Sequence, residues 1–498
     1  MSTLKKFAGQ TAIYGLSTIV ARLLNYLLTP IYTRVYPVQV FGILTTMYAW
    51  VSILNPILAF GMETTFFRYL NKHDDKQKVY SNTFFTTLFI ALFFLIVILA
   101  FIDPLAAWLH GGSKIDPENY KAFIKMFAAI LVLDAIAVVP FAKVRADGRP
   151  GRYSVIKFTN ILIAVAFNLI FLFVIPWLIR QQVAPELFSW FKGRWVGYVF
   201  LSNLIASFVT LLMLLPELLK LKFRYDFALL REMLVYSFPV LIANLSFIIN
   251  ETSDKIFIRK LLGGDFGEQE VGIYGAVAKL AIFLSIFIQA FRLGAEPFFF
   301  SHAKEKNSGA TYAVIMDYFV IALSIIFVAL VANVEILKYF VDGGTPEQRG
   351  LFWSGLKVVP ILLFAYVSLG IYMNLSVWYK LSDQTRFGLY ISGVGALITV
   401  VLNIIFIPKY SYYASAWITL LAYTCMMVLS YLWGQKRYPI PYNIKKNLAY
   451  LLTAIGFVFL SFVVFDRNLI IGNLLLLFFA AGSFYFERKN LKSILSSK

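Results

Sequence analysis

The stretch LAFGMETTFFRYLNK (residues 58–72) decides the fold, because part of it recurs later in the chain. Its segment FGMETTFF (60–67) matches LGAEPFFF (293–300), with the glycine, the glutamate and a phenylalanine pair in register. Three further anchors keep the same order: Arg34 with Arg259, FGI (41–43) with VGI (271–273), and Arg145 and Asn168 with Lys380 and Asn403. Four anchors in one order predict an internal duplication.

The composition places the chain in a membrane. Of its 498 residues, 60% are hydrophobic and 14% are charged, which is far from the balance of a soluble protein. A span needs roughly 20 apolar residues, and runs of that kind lie near 9–31, 38–62, 79–102, 121–143, 153–176, 196–216, 232–253, 271–294, 311–334, 353–376, 386–407, 411–434, 447–465 and 468–486. The predicted fold class is an all-α polytopic membrane protein with about 14 transmembrane helices.

The duplication sorts these spans into two repeats. Spans 1 to 6 correspond to spans 7 to 12, and an even number of spans per repeat makes the copies parallel, related by an axis along the membrane normal. Spans 13 and 14 are an addition. The predicted organisation is an N-terminal six-helix lobe over 1–226, a C-terminal six-helix lobe over 227–438, and two additional transmembrane helices with a cytoplasmic tail over 439–498.

The net charge of +19 follows the loops and does not indicate a nucleic-acid-binding surface. One loop alone carries Lys143, Arg145, Arg149, Arg152 and Lys157. An excess of basic residues in the loops on one side of a bundle marks its cytoplasmic side. We therefore expect both termini in the cytoplasm, the lipid bilayer as the surrounding partner, and no nucleic acid.

Span 1 carries a polar stripe centred on a cation. At about 100° per residue, Thr18, Arg22 and Asn25 lie on one helix face. A packing seam of small hydroxyl residues accounts for the threonines but not for Arg22. Because a charge at membrane depth tends to face a cavity or a partner, we expect a water-filled cavity here, with Thr18, Arg22 and Asn25 binding substrate.

Span 7 and span 8 of the second repeat have comparable polar faces. Asn244 and Glu251 recur seven residues apart in span 7, and Gln289, Arg292 and Glu296 share a face of span 8. Arg292 and Glu296 are spaced i, i+4, so they are expected to pair, which either neutralises both charges or leaves the cation open to an anion. The candidate substrate-binding residues of this repeat are Asn244, Glu251, Lys279, Gln289 and Arg292.

Acidic residues in or near the membrane allow more than one interpretation. Asp134 in span 4 is either hydrogen-bonded structure or a proton or sodium site for ion coupling. Glu63 and Glu296 occupy equivalent places in the two repeats, and Arg68 lies close to the first of them in sequence. We expect Glu63, Arg68 and Glu296 to form a gate or structural ion pairs at the cytoplasmic mouth, with direct substrate binding as the alternative.

Enzyme chemistry is not indicated by the motifs. There is no Gly-rich phosphate loop with a following Lys and Ser/Thr, so ATP hydrolysis by that route is not expected. His73, His110 and His302 are isolated in predicted loops, and Cys425 is the only cysteine. We therefore predict no catalytic residue, no metal site, no disulfide and no cofactor.

Three runs resemble one known family: SDKIFIRKLLGGDFGEQEVGIYGAVAKL (253–280), FAKVRADGRPGRYSVIKF (141–158) and LNIIFIPKYSYYASAWITLLAY (402–423). They are similar to runs in the polysaccharide (O-antigen or lipid-linked oligosaccharide) flippases of the multidrug/oligosaccharidyl-lipid/polysaccharide exporter superfamily. The likeness extends in order over most of the chain. It implies a V-shaped pair of six-helix lobes around a central cavity, in the bacterial inner membrane.

The function implied by the resemblance is transport. Alternating access would move an undecaprenyl-diphosphate-linked oligosaccharide outward for lipopolysaccharide or capsule biosynthesis, beside glycan polymerase machinery as a further partner. The cavity cations of the family match Arg22 and Arg292, and Lys279 matches less well. In related lipid-linked peptidoglycan precursor flippases the last two helices help to form a groove for the lipid tail, which implies the same use for spans 13 and 14. The protein is expected to be a monomer.

One departure from the family and three rival functions stand beside this interpretation. After IP, the usual Gly-x-x-Gly-Ala element reads YSYYASAW (410–417), with Tyr412 and Tyr413 in place of the expected glycine surroundings. The rivals are a cation-coupled multidrug exporter, which needs a carboxylate-rich ion site, a lipid-linked peptidoglycan precursor flippase, and a membrane glycan polymerase. The polymerase is expected to carry a large outer loop, whereas the predicted loops are short.

Overall fold

Helices and short connections make up the described part of the chain. The computed structural model describes residues 23–24, 26–183, 185–303 and 307–496. Within these residues, eleven helices are long and apolar enough to cross a bilayer, and Gly197–Met213 is a shorter apolar helix. The predicted all-α, multi-pass fold is confirmed. The predicted span 9–31 lies largely outside the described residues, so the count of fourteen spans stays a prediction.

The first repeat of the sequence forms a series of helices whose ends are close to the predicted spans. Their bounds are α1 (Thr29–Val35), α2 (Val38–Ala59), α3 (Met62–Lys72), α4 (Lys76–Ala100), α5 (Ile102–His110), α6 (Pro117–Ala146), α7 (Pro150–Leu169), α8 (Ile175–Arg180), α9 (Gly197–Met213) and α10 (Leu215–Leu218). A π-helical turn, Ile170–Val174, joins α7 to α8, and a 3₁₀ turn covers Pro185–Phe188.

The second repeat and the added segment continue the same pattern. Their helices are α11 (Phe227–Leu262), α12 (Gly264–Ser301), α13 (Ser308–Ala332), α14 (Val334–Leu337), α15 (Pro346–Ser354), α16 (Val359–Leu375), α17 (Val377–Leu381), α18 (Arg386–Arg437), α19 (Ile444–Phe459) and α20 (Leu469–Ser496). Short 3₁₀ turns, Lys338–Val341 and Gly355–Val358, and a π-helical turn, Leu460–Val464, connect some of them.

Acidic and amide side chains set the starts of several helices. Asp75, Asp116 and Asp226 accept hydrogen bonds from backbone N–H groups in the first turns of α4, α6 and α11, at 2.8 to 3.2 Å. Asn443 does the same for α19, with 3.2 Å to the Lys446 nitrogen. The free N–H groups of a first turn need such acceptors, so these residues place the helix starts in the loops.

The described residues divide into two compact units. One holds the described residues up to Gly275 together with Gly343–Gln348 and Thr399–Tyr412. The other holds Ala276–Asp342, Arg349–Ile398 and the described residues from Tyr413 onward. Helices α12 and α18 therefore contribute to both. We call them the first and the second unit.

The family departure at YSYYASAW falls inside the long helix α18. Ser411 adopts φ 51° and ψ −142°, which interrupts the helix between the two predicted spans 386–407 and 411–434. A left-handed φ is costly for a residue with a Cβ. The Ser411 hydroxyl donates to the Glu270 carboxylate within the first unit, and this hydrogen bond holds Ser411 at the interruption of the helix.

Gly42 and Gly272 mark the closest approach of α2 and α12 in the first unit. A Cβ on Gly42 would overlap the backbone oxygen of Glu268, and a Cβ on Gly272 would overlap that of Val38. These two contacts are reciprocal, because Glu268 follows Val38 by 230 residues and Gly272 follows Gly42 by the same 230. Reciprocal contacts of this kind indicate a local two-fold relation.

Two further contacts repeat the same offset. The Gln39 amide donates to the Gln269 side-chain oxygen at 3.0 Å, and these residues are 230 apart in sequence. A Cβ on Gly275 would touch Thr45, which is again 230 residues away. Parallel helices that meet residue by residue at one offset are the geometry expected of parallel repeats. Small residues at the crossing let the two backbones approach.

We predict that Gly42→Ala and Gly272→Ala each lower the stability of the protein by about 1–3 kcal/mol, because the added methyl group collides with a backbone carbonyl. The measurement is the Tm of the full chain in detergent. Gly393→Ala is the matched control, since a Cβ there meets nothing within 4 Å and alanine favours a helix. Equal Tm values for Gly42→Ala and Gly393→Ala would contradict the prediction.

Candidate functional site

The glutamate of the opening stretch forms an ion pair with the end of a distant helix. A left-handed turn at Phe60 and Gly61, with φ 47° and 64°, ends α2 and starts α3. Glu63 then lies in the first turn of α3, where its carboxylate pairs with the Arg145 guanidinium near the end of α6. Arg145 also lies 5.0 Å from the Phe67 ring centroid. Glu63 thus ties α3 to α6 within the first unit.

The equivalent glutamate of the second repeat has the equivalent partner. Glu296 on α12 pairs with the Lys380 ammonium on α17, within the second unit. Lys380 is the residue that the duplication matched to Arg145. Two of the sequence anchors, the one with Glu63 and the one with Arg145, are therefore the partners of one ion pair. The second repeat forms the same pair between Glu296 and Lys380. Each pair joins helices of a single unit.

Arg68, which was expected with Glu63 at the cytoplasmic mouth, contacts an aromatic ring and not the Glu63 carboxylate. The Arg68 guanidinium lies 4.2 Å from the centroid of the Tyr236 ring, in a cation–π contact. The next basic side chain, Lys72, pairs with Glu232 at 3.2 Å, and both of these side chains are more than half exposed. Arg68 and Lys72 therefore connect α3 to α11, and Glu63 connects it to α6.

Arg292 is the exposed cation of the second-unit site. Its Nε lies 3.9 Å from Glu296 Oε1, so the expected i, i+4 pair is present but long, and Lys380 holds the same carboxylate more closely. The Arg292 side chain is 45% exposed. Since Glu296 is shared by two cations, this cluster has a net positive charge that can attract an anion.

Buried polar groups border the Arg292 cluster. Asn374 lines the same small cavity as Arg292, Glu296 and Lys380, and it is 7% exposed. Its Nδ2 has no hydrogen-bond partner within the described residues. One helical turn before Arg292, Gln289 donates to Ser285 Oγ at 3.2 Å. The cluster therefore offers hydrogen-bond donors of three kinds: guanidinium, ammonium and amide.

The polar face of α11 is divided between solvent and core. Asn244 and Glu251 are exposed, whereas Ser237, one heptad earlier, is buried. Lys255 extends this face and donates to the backbone oxygen of Glu251 at 3.1 Å. On α12, Lys279 is half-buried. Asn244 and Glu251 are therefore accessible from outside the packed helices.

The first unit contains a polar chamber of about 310 Å³. Helices α2, α6, α7 and α9 supply most of its polar lining. Those residues are Tyr48, Asn55, Asp134, Lys157, Asn160, Asn203 and Ser207, with the Glu63–Arg145 pair also facing it. The chamber has room for several water molecules, each of which needs polar partners. The helices of this unit therefore enclose a polar space that is large enough to hold water.

Asp134 and Lys157 bring opposite charges to this chamber. The Ser207 hydroxyl donates to Asp134 Oδ1 at 2.7 Å, and the Lys157 ammonium lies 4.3 Å from the Phe141 ring centroid. In the described part of the chain, no direct ion pair joins them. The repeat offset of 235 relates Arg145 to Lys380. At the same offset, the residue equivalent to Lys157 is Ser392, and the residue equivalent to Asp134 is Leu369. The charged chamber is thus a property of one repeat alone.

Lys157 is a site residue that sequence reasoning missed. The sequence counts it with the basic loop, but α7 begins at Pro150, which puts Lys157 two helical turns into the helix. Lys380 was recognised only as a repeat anchor. The signal that was available for Lys157 was its position inside an apolar run.

The loop after α6 holds Arg145 and α7 in place. Arg149 and Arg152 both pair with Glu217, at 3.0 and 2.9 Å, and Glu217 is 1% exposed. Partial burial raises the pKa of Asp147, but hydrogen bonds and charge from Lys143 and Arg149 outweigh it, so the pKa of this carboxyl lies below its usual range. The loop is therefore tied down by ion pairs at physiological pH.

Three of the predicted substrate-binding residues, Thr18, Arg22 and Asn25, lie outside the described residues. Their roles stay predictions from the sequence.

The sequence comparisons identify a family. The family described as Polysaccharide biosynthesis protein matches residues 7–299, which is more than half of the chain. The family described as MatE matches residues 239–405. No curated protein sequence matches this chain.

Solved structures share the fold over nearly the whole chain. The lipid II flippase MurJ in an inward closed conformation is 16% identical and has a TM-score of 0.71, covering 96% of this chain and 99% of its own. An inward-facing multidrug resistance MATE transporter of the MOP superfamily is 15% identical, with a TM-score of 0.61 and coverages of 88% and 95%. A MOP superfamily transporter from Pyrococcus furiosus, described as having a binding pocket of reversed polarity, is 14% identical, with a TM-score of 0.58 and coverages of 87% and 95%.

The helices described above, with these matches, define a multi-pass helical membrane protein with the fold shared by the lipid II flippase MurJ and the MATE transporters. The chain belongs to the polysaccharide biosynthesis protein family, whose model matches more than half of it. The family resemblance expected from the sequence is confirmed.

We predict that reversing one charge of the Glu63–Arg145 pair or of the Glu296–Lys380 pair lowers the stability of the protein. Reversing both charges of a pair should restore the stability. The variants are Glu63→Arg, Arg145→Glu and their combination, and Glu296→Lys, Lys380→Glu and their combination. Double-mutant cycles on Tm should give coupling on the order of 0.5–3 kcal/mol, since the residues of each pair are in direct contact.

The exposed Lys72–Glu232 pair is the matched control for these cycles. Its coupling should stay below about 1 kcal/mol because solvent screens it. Additive effects of the Glu63 and Arg145 reversals, with no recovery in the double variant, would contradict the assignment of a shared ion pair.

Proposed function

We propose that this protein is a flippase that moves an undecaprenyl-diphosphate-linked oligosaccharide from the cytoplasmic to the outer leaflet for cell-surface polysaccharide biosynthesis. Membership in the polysaccharide biosynthesis protein family supports this proposal. The organisation we propose with it is two six-helix lobes over 1–226 and 227–438, with 439–498 added, both termini being cytoplasmic in a bacterial inner membrane.

The observation that carries the proposal is the exposed guanidinium of Arg292 in a membrane-spanning helix. A cation at membrane depth is unfavourable by about 2.5–3.5 kcal/mol, so a helix that keeps one has a use for it. Lys380 beside it occupies the nearby carboxylate and leaves the guanidinium accessible. A guanidinium fork suits a diphosphate, whose oxygens it binds in pairs.

The proposed division of labour follows from the side-chain chemistry. Arg22 and Arg292 bind the diphosphate, with Lys279 as an additional cation. Uncharged and acidic groups are hydrogen-bond partners for sugar hydroxyls; those residues are Thr18, Asn25, Asn244, Glu251 and Gln289. The polyprenyl chain stays in the lipid. Glu63 and Glu296, with their basic partners, hold the inner rim of each repeat.

We predict that Arg22→Ala and Arg292→Ala each reduce export of the lipid-linked glycan at least about tenfold, because a lost charge-assisted hydrogen bond weakens binding by that factor or more. The measurement is surface polysaccharide in a strain that depends on this protein, with membrane levels of each variant determined in parallel. Arg231→Ala is the control, since Arg231 is an exposed residue of α11 outside the proposed site. Normal export by the Arg22/Arg292 double variant would contradict the mechanism.

Ion coupling is proposed for Asp134, with Lys157 as its counter-charge. Both face one polar chamber without a direct ion pair in the described residues. Ser207 donates to Asp134 Oδ1, so a proton can bind to Oδ2 without displacing that donor. Only the first repeat has this pair. A carboxylate and a lysine that share a water-filled space are suited to binding and releasing one proton.

We predict that Asp134→Asn abolishes the response of transport to an imposed pH gradient while substrate binding is retained. The measurement is flipping of a lipid-linked glycan in proteoliposomes, with and without the gradient. Asn203→Ala, in the same chamber, is the control that changes the polar lining but not the charge. A full gradient response in Asp134→Asn would contradict the coupling role.

A second candidate is a lipid-linked peptidoglycan precursor flippase. The observation in its favour is that the lipid II flippase MurJ covers 96% of this chain, whereas the MATE transporter covers 88%. Depletion of the protein separates the two proposals. Accumulation of a lipid-linked oligosaccharide on the cytoplasmic leaflet supports the first, and accumulation of lipid II supports the second.

A further inference from the structure

A buried arginine connects two segments of the first unit that are far apart in sequence. The Arg259 side chain, near the end of α11, is 4% exposed. Its Nη2 donates to the backbone oxygen of His110 at 2.7 Å and to Glu268 Oε1 at 3.0 Å, and the Tyr120 hydroxyl donates to the same glutamate oxygen at 2.6 Å. Helix α5 ends at His110, where backbone oxygens lack donors within the helix, so Arg259 caps this end.

Other hydrogen bonds continue this contact toward solvent. The Gly264 N–H donates to the backbone oxygen of Gly111 at 2.9 Å. The Lys114 N–H donates to Asp265 Oδ1 at 2.9 Å, and the Lys114 ammonium lies 2.8 Å from Asp265 Oδ2. Lys114 is 89% exposed, so water reaches this edge of the contact. The contact therefore runs from a buried arginine to an exposed lysine, and it joins the first repeat to the second.

The loop in this contact has a counterpart in the second repeat. HGGS (110–113) lies between predicted spans 3 and 4, and DGGT (342–345) lies between predicted spans 9 and 10. Both loops contain a glycine pair, which permits tight turns that other residues disfavour. We call residues 109–114 the first strap and residues 343–348 the second strap.

The second strap contacts the first repeat in the same manner. Gln348 Oε1 accepts a hydrogen bond from the Val38 N–H at 2.7 Å, and a Cβ on Gly344 would overlap the backbone oxygen of Arg34. Arg34 is the residue that the duplication matched to Arg259. All of these residues lie in the first unit. Each strap therefore packs on the arginine-bearing connection of the other repeat, which is a reciprocal exchange of contacts.

Both straps lie at the same end of α2. Val38, which contacts the second strap, begins this helix, and the backbone of Glu268 lies against Gly42, one helical turn further on. Helix α2 has 22 residues, which is about 33 Å and enough to cross the hydrocarbon core of about 30 Å. Glu63 follows the other end of α2. With the cytoplasmic mouth expected at Glu63, the straps are on the outer side of the membrane.

Opening of the first strap would leave no buried charge without a partner. Arg259 and Glu268 both belong to the second repeat, so their ion pair stays intact when the strap leaves. The bonds that break there are those of His110 and Tyr120, whose polar groups can bond to water instead. Breaking a buried ion pair is strongly unfavourable, and this geometry avoids that cost. The contact is therefore suited to being made and released.

We propose that the two straps are latches that close the outer ends of α2 and α12, and that they release in each transport cycle. Arg259 is the residue that receives the first strap, and Glu268 holds Arg259 in place whether the latch is closed or open. This inference rests on the proposed transport function, because only alternating access requires the contact to open.

The first test locks the latch with a reversible cross-link. Lys114→Cys and Asp265→Cys are introduced together in a Cys425→Ser chain, which leaves the buried groups of the latch unchanged. A short bifunctional thiosulfonate then joins the two thiols. We expect cross-linking to abolish flipping of a lipid-linked glycan in proteoliposomes, and a reductant to restore it.

A matched cross-link within one repeat is the control. Asp103 and Lys121 form an ion pair at 2.8 Å between α5 and α6 of the first repeat. These two helices flank the first strap, so the control carries the same reagent close to the latch. The chain with Asp103→Cys and Lys121→Cys, treated in the same way, should flip the glycan at the rate of its untreated form.

The second test measures release of the latch directly. Ser113 in the first strap is 7% exposed, so Ser113→Cys in the Cys425→Ser chain reports opening through its rate of reaction with a water-soluble thiol reagent. Tyr120→Phe removes one hydrogen bond between the repeats and should raise this rate about tenfold. Tyr80→Phe is the matched control and should leave the rate unchanged, since the buried Tyr80 hydroxyl donates to the backbone oxygen of Glu217 within the first repeat.

The outcomes separate the latch from the transport function. Equal flipping by the cross-linked and the reduced Lys114→Cys/Asp265→Cys chain would overturn the latch, and so would inhibition by both cross-links. Equal labelling rates in Tyr120→Phe and Tyr80→Phe would also overturn it. A chain that flips no glycan before cross-linking contradicts the proposed function, and the labelling rates then decide the latch alone.

Discussion

The approach of Gly42 to Gly272 is the constraint on which the first unit depends. Carbonyl oxygens of the opposite helix occupy the space where a Cβ would lie at both positions, so only glycine permits this distance between α2 and α12. The contacts on the two sides differ in residue number by the same 230 as the Gln39–Gln269 hydrogen bond. The same pair of close contacts, made once from each helix, therefore sets the register of α12 on α2 within the first unit.

Charge follows the same duplication in part. Glu63 with Arg145 and Glu296 with Lys380 are copies of one ion pair, and each connects two helices of its own unit. Asp134 and Lys157 have no charged counterparts at the repeat offset, and Arg292 corresponds by the offset of 233 to Ala59. The equivalent positions of the other repeat hold uncharged residues, so the shared fold does not require a charge at Asp134, Lys157 or Arg292. We propose that these charges, which have no charged equivalent in the other repeat, serve transport.

The bilayer explains where the remaining polar groups lie. A membrane helix satisfies its own backbone, so polar side chains inside a span are free to serve cavities, and those at span ends serve the headgroup region. The chamber around Asp134 belongs to the first kind, and the cluster of Lys446 with Glu487 belongs to the second. A single rule of solvation therefore separates polar groups that line a cavity inside the protein from polar groups at the ends of spans.

The sequence by itself determined the all-α, multi-pass membrane class, because hydropathy is local in the chain and needs no packing. The count of fourteen spans and the division into two six-helix repeats stay predictions. It also determined that Glu63 and Glu296 are equivalent. Only the tertiary structure decided their partners, since Glu63 and Arg145 are 82 residues apart and meet through the packing of α3 on α6. The support of Ser411 by Glu270 and the grouping of Lys157 with Asp134 in one chamber were likewise decided by helix packing, for which a single sequence carries no local signal.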